Sequence, residues 1–330
     1  MKSRNIRRDK FDRLFPLHRG KRFIRGPMIA ADHLAFLLGK PLDEVCRDGK
    51  LLAEGILRAQ ELYQSDMVIV FADVAVEAEA MGVELEYFSK GNPQPIRHLR
   101  PDEIKRADIA SSGRLPELFR AAVICRKKLG SGFTIFFSMK DSLSLTAMVM
   151  GTEDFLTLFI SDPDEALRLL KISCENQLEL VATIIRAGFI PLVGAPIASG
   201  GLIGGRYFEK FAEPFIEKLF ALAREMGSFA CLHICGSVVE LMERLAILKP
   251  DLLSIEDAKA VSMWGMLPDT IPMGYVSTDL FVYGDAFSLK KAADECLRTL
   301  PEPFVLSAGC DLPMKADPNL VKIMMCAATN

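Results

Sequence analysis

The sequence lacks any long apolar run. Its longest uncharged stretch, "GFIPLVGAPIASGGLIGG", carries two prolines and is dense in glycine. A membrane-spanning helix needs about 20 mostly apolar residues, so this stretch is expected to be a strand followed by a loop. Charge of one sign is not in excess either. The net charge of −3 gives no reason to expect nucleic acid as a partner. No segment reads G-x-G-x-x-G at a strand-to-helix turn. "GGLIGG" has the glycines without the spacing, which argues against a dinucleotide-binding Rossmann fold. The chain shows no internal repeat, no low-complexity tract and no linker.

Histidine is scarce, with only four in the chain: His18, His33, His98 and His233. Cysteine is more plentiful, but Cys46, Cys125, Cys174, Cys231, Cys235, Cys296, Cys310 and Cys326 are scattered rather than grouped as a disulfide framework. No apolar signal segment precedes them. Reduced thiols in a cytoplasmic protein are therefore expected, most of them as small buried hydrophobes. Positive charge is concentrated in one place. Residues 1–25 contain ten Lys/Arg against two acidic residues. A transit peptide or a contact with an anionic surface has such a composition, but a solvated basic arm on the fold is the plainer expectation.

Short apolar runs alternate with amphipathic ones along the rest of the chain. Candidate strands are "GPMIAA" (26–31), "DMVIVF" (66–71), "FTIFFS" (133–138), "FIPLVG" (189–194), "FACLHI" (229–234), "LLSIED" (252–257), "MGYVST" (273–278) and "PFVLSA" (303–308). Helical spacing lies between them. Leu167, Leu170, Cys174, Leu178, Val181 and Ile185 repeat as on one helix face, with Asp162 and Asp164 before them and Gly188 after. A second pattern, "RYFEKFAEPFIEKLFALAREMG", should kink or break at Pro214. Eight buried strands alternating with helices point to parallel βαβ units and to an α/β fold, a single (β/α)8 TIM barrel over 1–330. The stretch 82–115 reads as an insertion after the second strand, able to cap one barrel end.

In such barrels function gathers at the C-terminal ends of the strands. His233 and Cys235 end the fifth candidate strand, and Cys310 follows the eighth. Residues i and i+2 of an extended segment project to one side. A third ligand from another strand end would complete three corners of a tetrahedron, the pattern of a catalytic zinc with one open position. The interval from Cys235 to Cys310 matches no zinc finger or ribbon. Cysteine is often simply buried, and a strand-end histidine is often only hydrogen-bonded. The residues by themselves leave both readings open.

"LHICGSVVELMERL" with "FVLSAGCDLP" resembles the zinc-dependent methylcobamide:thiol methyltransferases of the uroporphyrinogen decarboxylase superfamily. "DMVIVFADVAVEAEAMGVELEY" and "YFEKFAEPFIEKLFALARE" also resemble superfamily segments. The resemblance covers the chain from about Pro27 onward. It implies an α/β barrel holding Zn²⁺ on His233, Cys235 and Cys310. The implied reaction moves a methyl group from a methylated corrinoid, carried by a partner protein, to a small thiol such as coenzyme M. Water is the default occupant of the open position; Asp73, Glu77 or Glu79 could lie close instead, although the plainer reading of Glu77 and Glu79 is a solvated acidic loop. Glu256 or Asp257 could hydrogen-bond the second nitrogen of His233, or could equally serve to cap their loop. Asp73, Glu79 and Asp257 are therefore the candidate catalytic carboxylates.

Asp73 also matches the pyrrole-binding aspartate of the decarboxylases, which keeps a metal-free tetrapyrrole decarboxylase as a second reading. A non-catalytic corrinoid- or tetrapyrrole-binding barrel is a third. The arginine-rich signature of the decarboxylases is missing around "RFIRGPMIAADH". Two departures from the methyltransferases are also visible. Gly194 and Ala195 stand where relatives often carry an aspartate, and Tyr275 stands where they carry an asparagine.

Overall fold

The structure is a computed structural model describing residues 6–327; the first five residues of the basic arm and the last three of the chain lie outside it. The strands are β1 (Phe23–Arg25), β2 (Met67–Val70), β3 (Leu85–Glu86), β4 (Gln94–Pro95), β5 (Thr134–Lys140), β6 (Ile190–Gly194), β7 (Cys231–Ile234), β8 (Leu252–Ile255), β9 (Ile271–Val276) and β10 (Phe304–Ala308). Eight of them form one parallel sheet in the order β1-β10-β9-β8-β7-β6-β5-β2. With helices around it, the sheet makes a nearly closed α/β barrel. The gap between β1 and β2 is bridged where Asp66 N donates to Arg25 O at 2.8 Å.

Seven strands fall on their predicted runs. The first does not: its ladder lies at Phe23–Arg25 rather than at 26–31. Pro27 has no N–H to donate and cannot extend a ladder. Residues 26–31 instead carry the chain up the barrel wall, with Leu312 N donating to Met28 O at 3.0 Å. Pro214 marks the expected break: the π-helical turn Phe208–Ala212 ends and a new α-helix begins just before it. It sits in the first turn of the helix Glu213–Glu225, where its missing N–H costs nothing. The glycine-rich segment after β6, expected as a loop, is helical over Gly200–Tyr207 with a break at Gly204.

The basic N-terminal segment is no solvated arm. Helix α1 (Ile6–Leu14) packs Phe11, Leu14 and Phe15 into the lower barrel interior beside Phe136, Leu192, Leu252 and Val305. Its cations are used locally. Arg7 Nε donates to Pro268 O at 3.0 Å, and Lys10 Nζ lies 2.7 Å from Asp251 Oδ1. Both partners precede strands, at the N-terminal end of the barrel. The physical reason is the apolar face that the charge count conceals: Phe11, Leu14 and Phe15 share one side of the turn and are almost fully buried.

Above this apolar floor the inward positions become small and polar. Alternation continues from Phe136 to Ser138 and Lys140, from Leu192 to Gly194, from Cys231 to His233, and from Leu252 to Ser254. Cys231 belongs to the floor, as expected of a core thiol. The segment 82–115 carries the β3–β4 hairpin and lies along the helix Ser142–Met150, with Leu99 N donating to Val149 O at 2.9 Å. Among the described residues no single helix is long and apolar enough to cross a membrane.

Candidate metal centre

His233 is the third residue of β7, and Cys235 follows just after the strand ends. The chain then turns at Gly236, whose φ of +69° suits glycine. Cys310 lies two residues beyond β10, after Gly309. A Cβ at Gly309 would come within 2.9 Å of Glu256 Cα, so only glycine lets this strand end approach β8 so closely.

The three side chains meet. His233 Nε2 is 3.0 Å from Cys235 Sγ and 3.7 Å from Cys310 Sγ, and the two sulfurs are 3.6 Å apart. A tetrahedral ion with sulfur at about 2.3 Å and nitrogen at about 2.0 Å holds its ligand atoms roughly 3.5–3.8 Å apart. The two edges to Cys310 fall in that range and the third is shorter. Two thiols and one imidazole are a donor set that zinc favours. No other group of three such ligands is found among the described residues. The residues therefore fit a zinc ion.

His233 is oriented for such a role. Its Nδ1 donates to Ser254 Oγ at 3.0 Å, and that hydroxyl donates in turn to Met28 Sδ at 3.5 Å. Since the sulfur can only accept, Nδ1 carries the proton and Nε2 keeps its lone pair toward the cysteines. Ser254→Ala should weaken zinc binding by about 10- to 100-fold, as read by competition with a chromophoric chelator. Unchanged affinity would show that this hydrogen bond does not support the ligand.

The hydrogen bond with Cys235 and its burial both push the Cys310 thiol upward from its ordinary value. Asp311 Oδ1 accepts from Cys310 Sγ at 3.1 Å.

The carboxylates divide differently from expectation. Ser254, and not Glu256 or Asp257, holds the second nitrogen of His233. Glu256 accepts from Gly236 N at 2.9 Å, and Asp257 accepts from the Ser237 hydroxyl at 2.8 Å. Both pin the turn after β7. Each carboxylate is too far along its strand end to reach the ring, whereas Ser254 is the register partner of His233. Asp73 lines the cavity that contains the three ligands, but both of its oxygens are engaged. It is ion-paired with Arg114 and accepts from Ala75 N at 2.9 Å. Glu79 does not line that cavity. Its oxygens take Tyr87 Oη and Arg114 Nε, each at 2.6 Å. Helical turn geometry places Glu77 on the inner side and Glu79 behind it.

Glu77, whose plainest reading is a solvated acid, is buried and lines the cavity with Lys140. The sequence reading also passed over Arg114, Lys140 and Ser254. Lys140 left a signal, a lysine ending an apolar strand at an inward alternation. Arg114 left none, being far from Asp73 in the chain. Tyr275 turns away from the site, with its hydroxyl 2.7 Å from Thr299 Oγ1 on the outer helix. The remaining histidines stand elsewhere. His33 bonds Tyr63 Oη at 2.8 Å, His18 faces Asp66 at 3.4 Å, and His98 faces Met148 O at 3.2 Å.

The cavity is mostly apolar, with Met28, Ile69, Phe71 and Leu192 among its walls. A family model described as uroporphyrinogen decarboxylase (URO-D) matches residues 19–330. The chain belongs to this family. Within it, methylcobamide:CoM methyltransferase MtaA of Methanosarcina barkeri is 26% identical over 227 residues, covering 67% of this chain and 66% of that protein. Methylcobamide:CoM methyltransferase MtbA of Methanosarcina mazei is 25% identical over 267 residues, 77% of each. Uroporphyrinogen decarboxylase of Bordetella petrii is 26% identical over 188 residues, about half of each chain. The solved structure of a methyltransferase from Methanosarcina mazei superposes with a TM-score of 0.84 over 96% of this chain and 97% of its own, at 23% identity. That likeness shows the fold: a URO-D-type α/β barrel.

Proposed function

We propose that this member of the family is a zinc-dependent methyltransferase moving a methyl group from a methylated corrinoid, carried by a partner protein, to a small thiol such as coenzyme M. The observation that carries the reading is the meeting of His233, Cys235 and Cys310 at the wall of a largely apolar cavity. Relatives named methylcobamide:CoM methyltransferases support it. In this reading the chain is one domain, with 82–115 as a cap that delivers Arg114 to Asp73.

When bound, zinc would remove the acceptor thiol's proton at neutral pH and hold its sulfur as a nucleophile. The protein's own residues prepare that state. Ser254 and Met28 fix the ring of His233. Glu256 and Asp257 fix the turn that carries Cys235. The two cysteine thiolates keep the site from becoming a strong electron sink, so the acceptor sulfur retains its reactivity. Met28, Ile69 and Phe71 keep bulk water from the sulfur.

The decarboxylase reading has less support, because Arg114 and the Ala75 N–H already hold the two oxygens of Asp73.

Metal-replete protein should contain about one zinc per chain by elemental analysis. Chelation should stop thiol-dependent demethylation of methylcobalamin, and added zinc should restore it. Protein that carries no zinc after supplementation, or that turns over fully without it, would remove the thiol mechanism.

A further inference from the structure

The end of the barrel away from the metal centre carries charge that the fold does not use. Residues 1–25 hold ten Lys/Arg against two acidic residues, in a chain of net charge −3. Some of these cations have partners. Arg7 donates to Pro268 O, Lys10 pairs with Asp251, and Arg22 Nε donates to Glu302 Oε1 at 2.7 Å. Arg13, Arg19 and Lys21 are exposed and pair with no carboxylate among the described residues. Arg13 lies over the Phe229 ring, 5.3 Å from its centroid, just before β7 begins. The nearby acids are already engaged. Asp12 Oδ1 accepts from Gly20 N at 2.9 Å, and Asp66 Oδ2 accepts from Arg25 N at 2.8 Å.

A neighbouring helix adds to the same surface. Helices of a β/α barrel run opposite to its strands, so the last turn of the helix Leu115–Leu129 lies at this end. It presents Lys127 and Lys128, both exposed and without a carboxylate partner among the described residues. These two complement the negative end of their helix. Arg19 and Lys21 belong to no helix and have no such use. Between the two groups stands Leu17, 60% exposed, on the turn Pro16–His18. Its side chain lies over the loop that follows Lys128: a Cβ added at Gly132 would come within 3.0 Å of Leu17 Cδ2. Arg126 holds that loop, donating to Gly130 O at 2.9 Å.

A single exposed leucine is ordinary. This one is set among unpaired cations, on a segment that Phe11, Leu14 and Phe15 anchor in the barrel floor. Clusters of about four to eight Lys/Arg are drawn to anionic lipid, and an apolar side chain among them gains by entering the headgroup layer. A nucleic acid would answer the charge but not the leucine.

We propose that this end of the barrel is a docking surface for a bilayer containing anionic lipid, with Leu17 entering the headgroup layer and Arg13, Arg19, Lys21, Lys127 and Lys128 around it. The metal centre opens at the opposite end, so the docked protein keeps that end toward solution. No residue of the metal centre takes part, and docking is independent of the reaction proposed above.

The test is co-sedimentation of the full chain with vesicles of phosphatidylcholine alone and of phosphatidylcholine mixed with phosphatidylglycerol. The protein should sediment with the mixed vesicles and stay in solution beside the neutral ones. Raising salt from about 0.1 M to about 1 M should release it, because the screening length falls from about 10 Å to about 3 Å. Arg19→Gln/Lys21→Gln should weaken binding about 10- to 30-fold, the share of two cations. Leu17→Ser should weaken it about 3- to 10-fold. All three side chains are exposed, so circular dichroism and zinc content should match the wild type. Equal binding to neutral and mixed vesicles, or undiminished binding in the Arg19→Gln/Lys21→Gln variant, would overturn the proposal. A DNA duplex bound as tightly as the mixed vesicles, with Leu17→Ser weakening neither, would overturn it too and assign the surface to nucleic acid.

Discussion

Cys310→Ser is expected to empty the metal centre of a barrel that stays folded. A serine hydroxyl holds its proton at neutral pH and is a poor zinc ligand, whereas a cysteine is deprotonated outright on binding. The loss in zinc affinity should exceed the roughly 10- to 100-fold cost of an outer hydrogen bond, because the bond to the ion itself is removed. The fold has little reason to respond. Cys310 lies beyond the end of β10 and is only partly buried, outside the apolar floor. Zinc per chain should fall well below the wild-type value after dialysis, with circular dichroism unchanged. Wild-type zinc content in the variant would mean that His233 and Cys235 hold the ion with some other group.

The second large effect lies at the opposite end of the barrel. Phe15→Ala should cost about 3–5 kcal/mol of stability, the range for truncating a fully buried phenylalanine. Phe15 has no exposed surface, packs edge-on against Phe136 with centroids 6.2 Å apart, and lies 5.0 Å from the Phe11 ring. Nothing beneath it can collapse into the hole, since α1 is the floor. Neighbouring contacts also tie it down, with the Thr134 hydroxyl donating to Leu14 O at 2.7 Å. Urea denaturation of the metal-replete protein reads the loss. Zinc content of the folded variant should be unchanged, because the floor and the metal ligands occupy different layers. A shift of less than about 1 kcal/mol would show that α1 is an appendage after all.

The basic count of the first 25 residues hid this floor. Charge dominates the average there, but Phe11, Leu14 and Phe15 supply an apolar face at helical spacing, and a helix needs only one such face to dock. The barrel strands were easier to read because each carries its own apolar run. The exception, at 26–31, failed for a local reason, the proline at position 27. The meeting of His233, Cys235 and Cys310 was legible as well: His-x-Cys at one strand end and Cys just past another need only a closed parallel barrel to meet. The carboxylates were not. Glu79, Glu77 and Asp257 look alike as acidic residues near strand ends. Which of them faces the cavity depends on a half-turn of helix, or on which neighbour arrives first.

The order of strands and helices, the barrel they form and the strand-end positions of His233, Cys235 and Cys310 were determined by the sequence alone, because periodicity and strand-end position are local properties. The partners of those residues were decided only by the tertiary structure. Ser254 reaches His233 through register between strands, and Arg114 reaches Asp73 from 41 residues away. Lys140 faces the cavity beside Glu77 because two separate strand ends converge there. Such pairings depend on distances between segments, and those distances exist only once the barrel has closed.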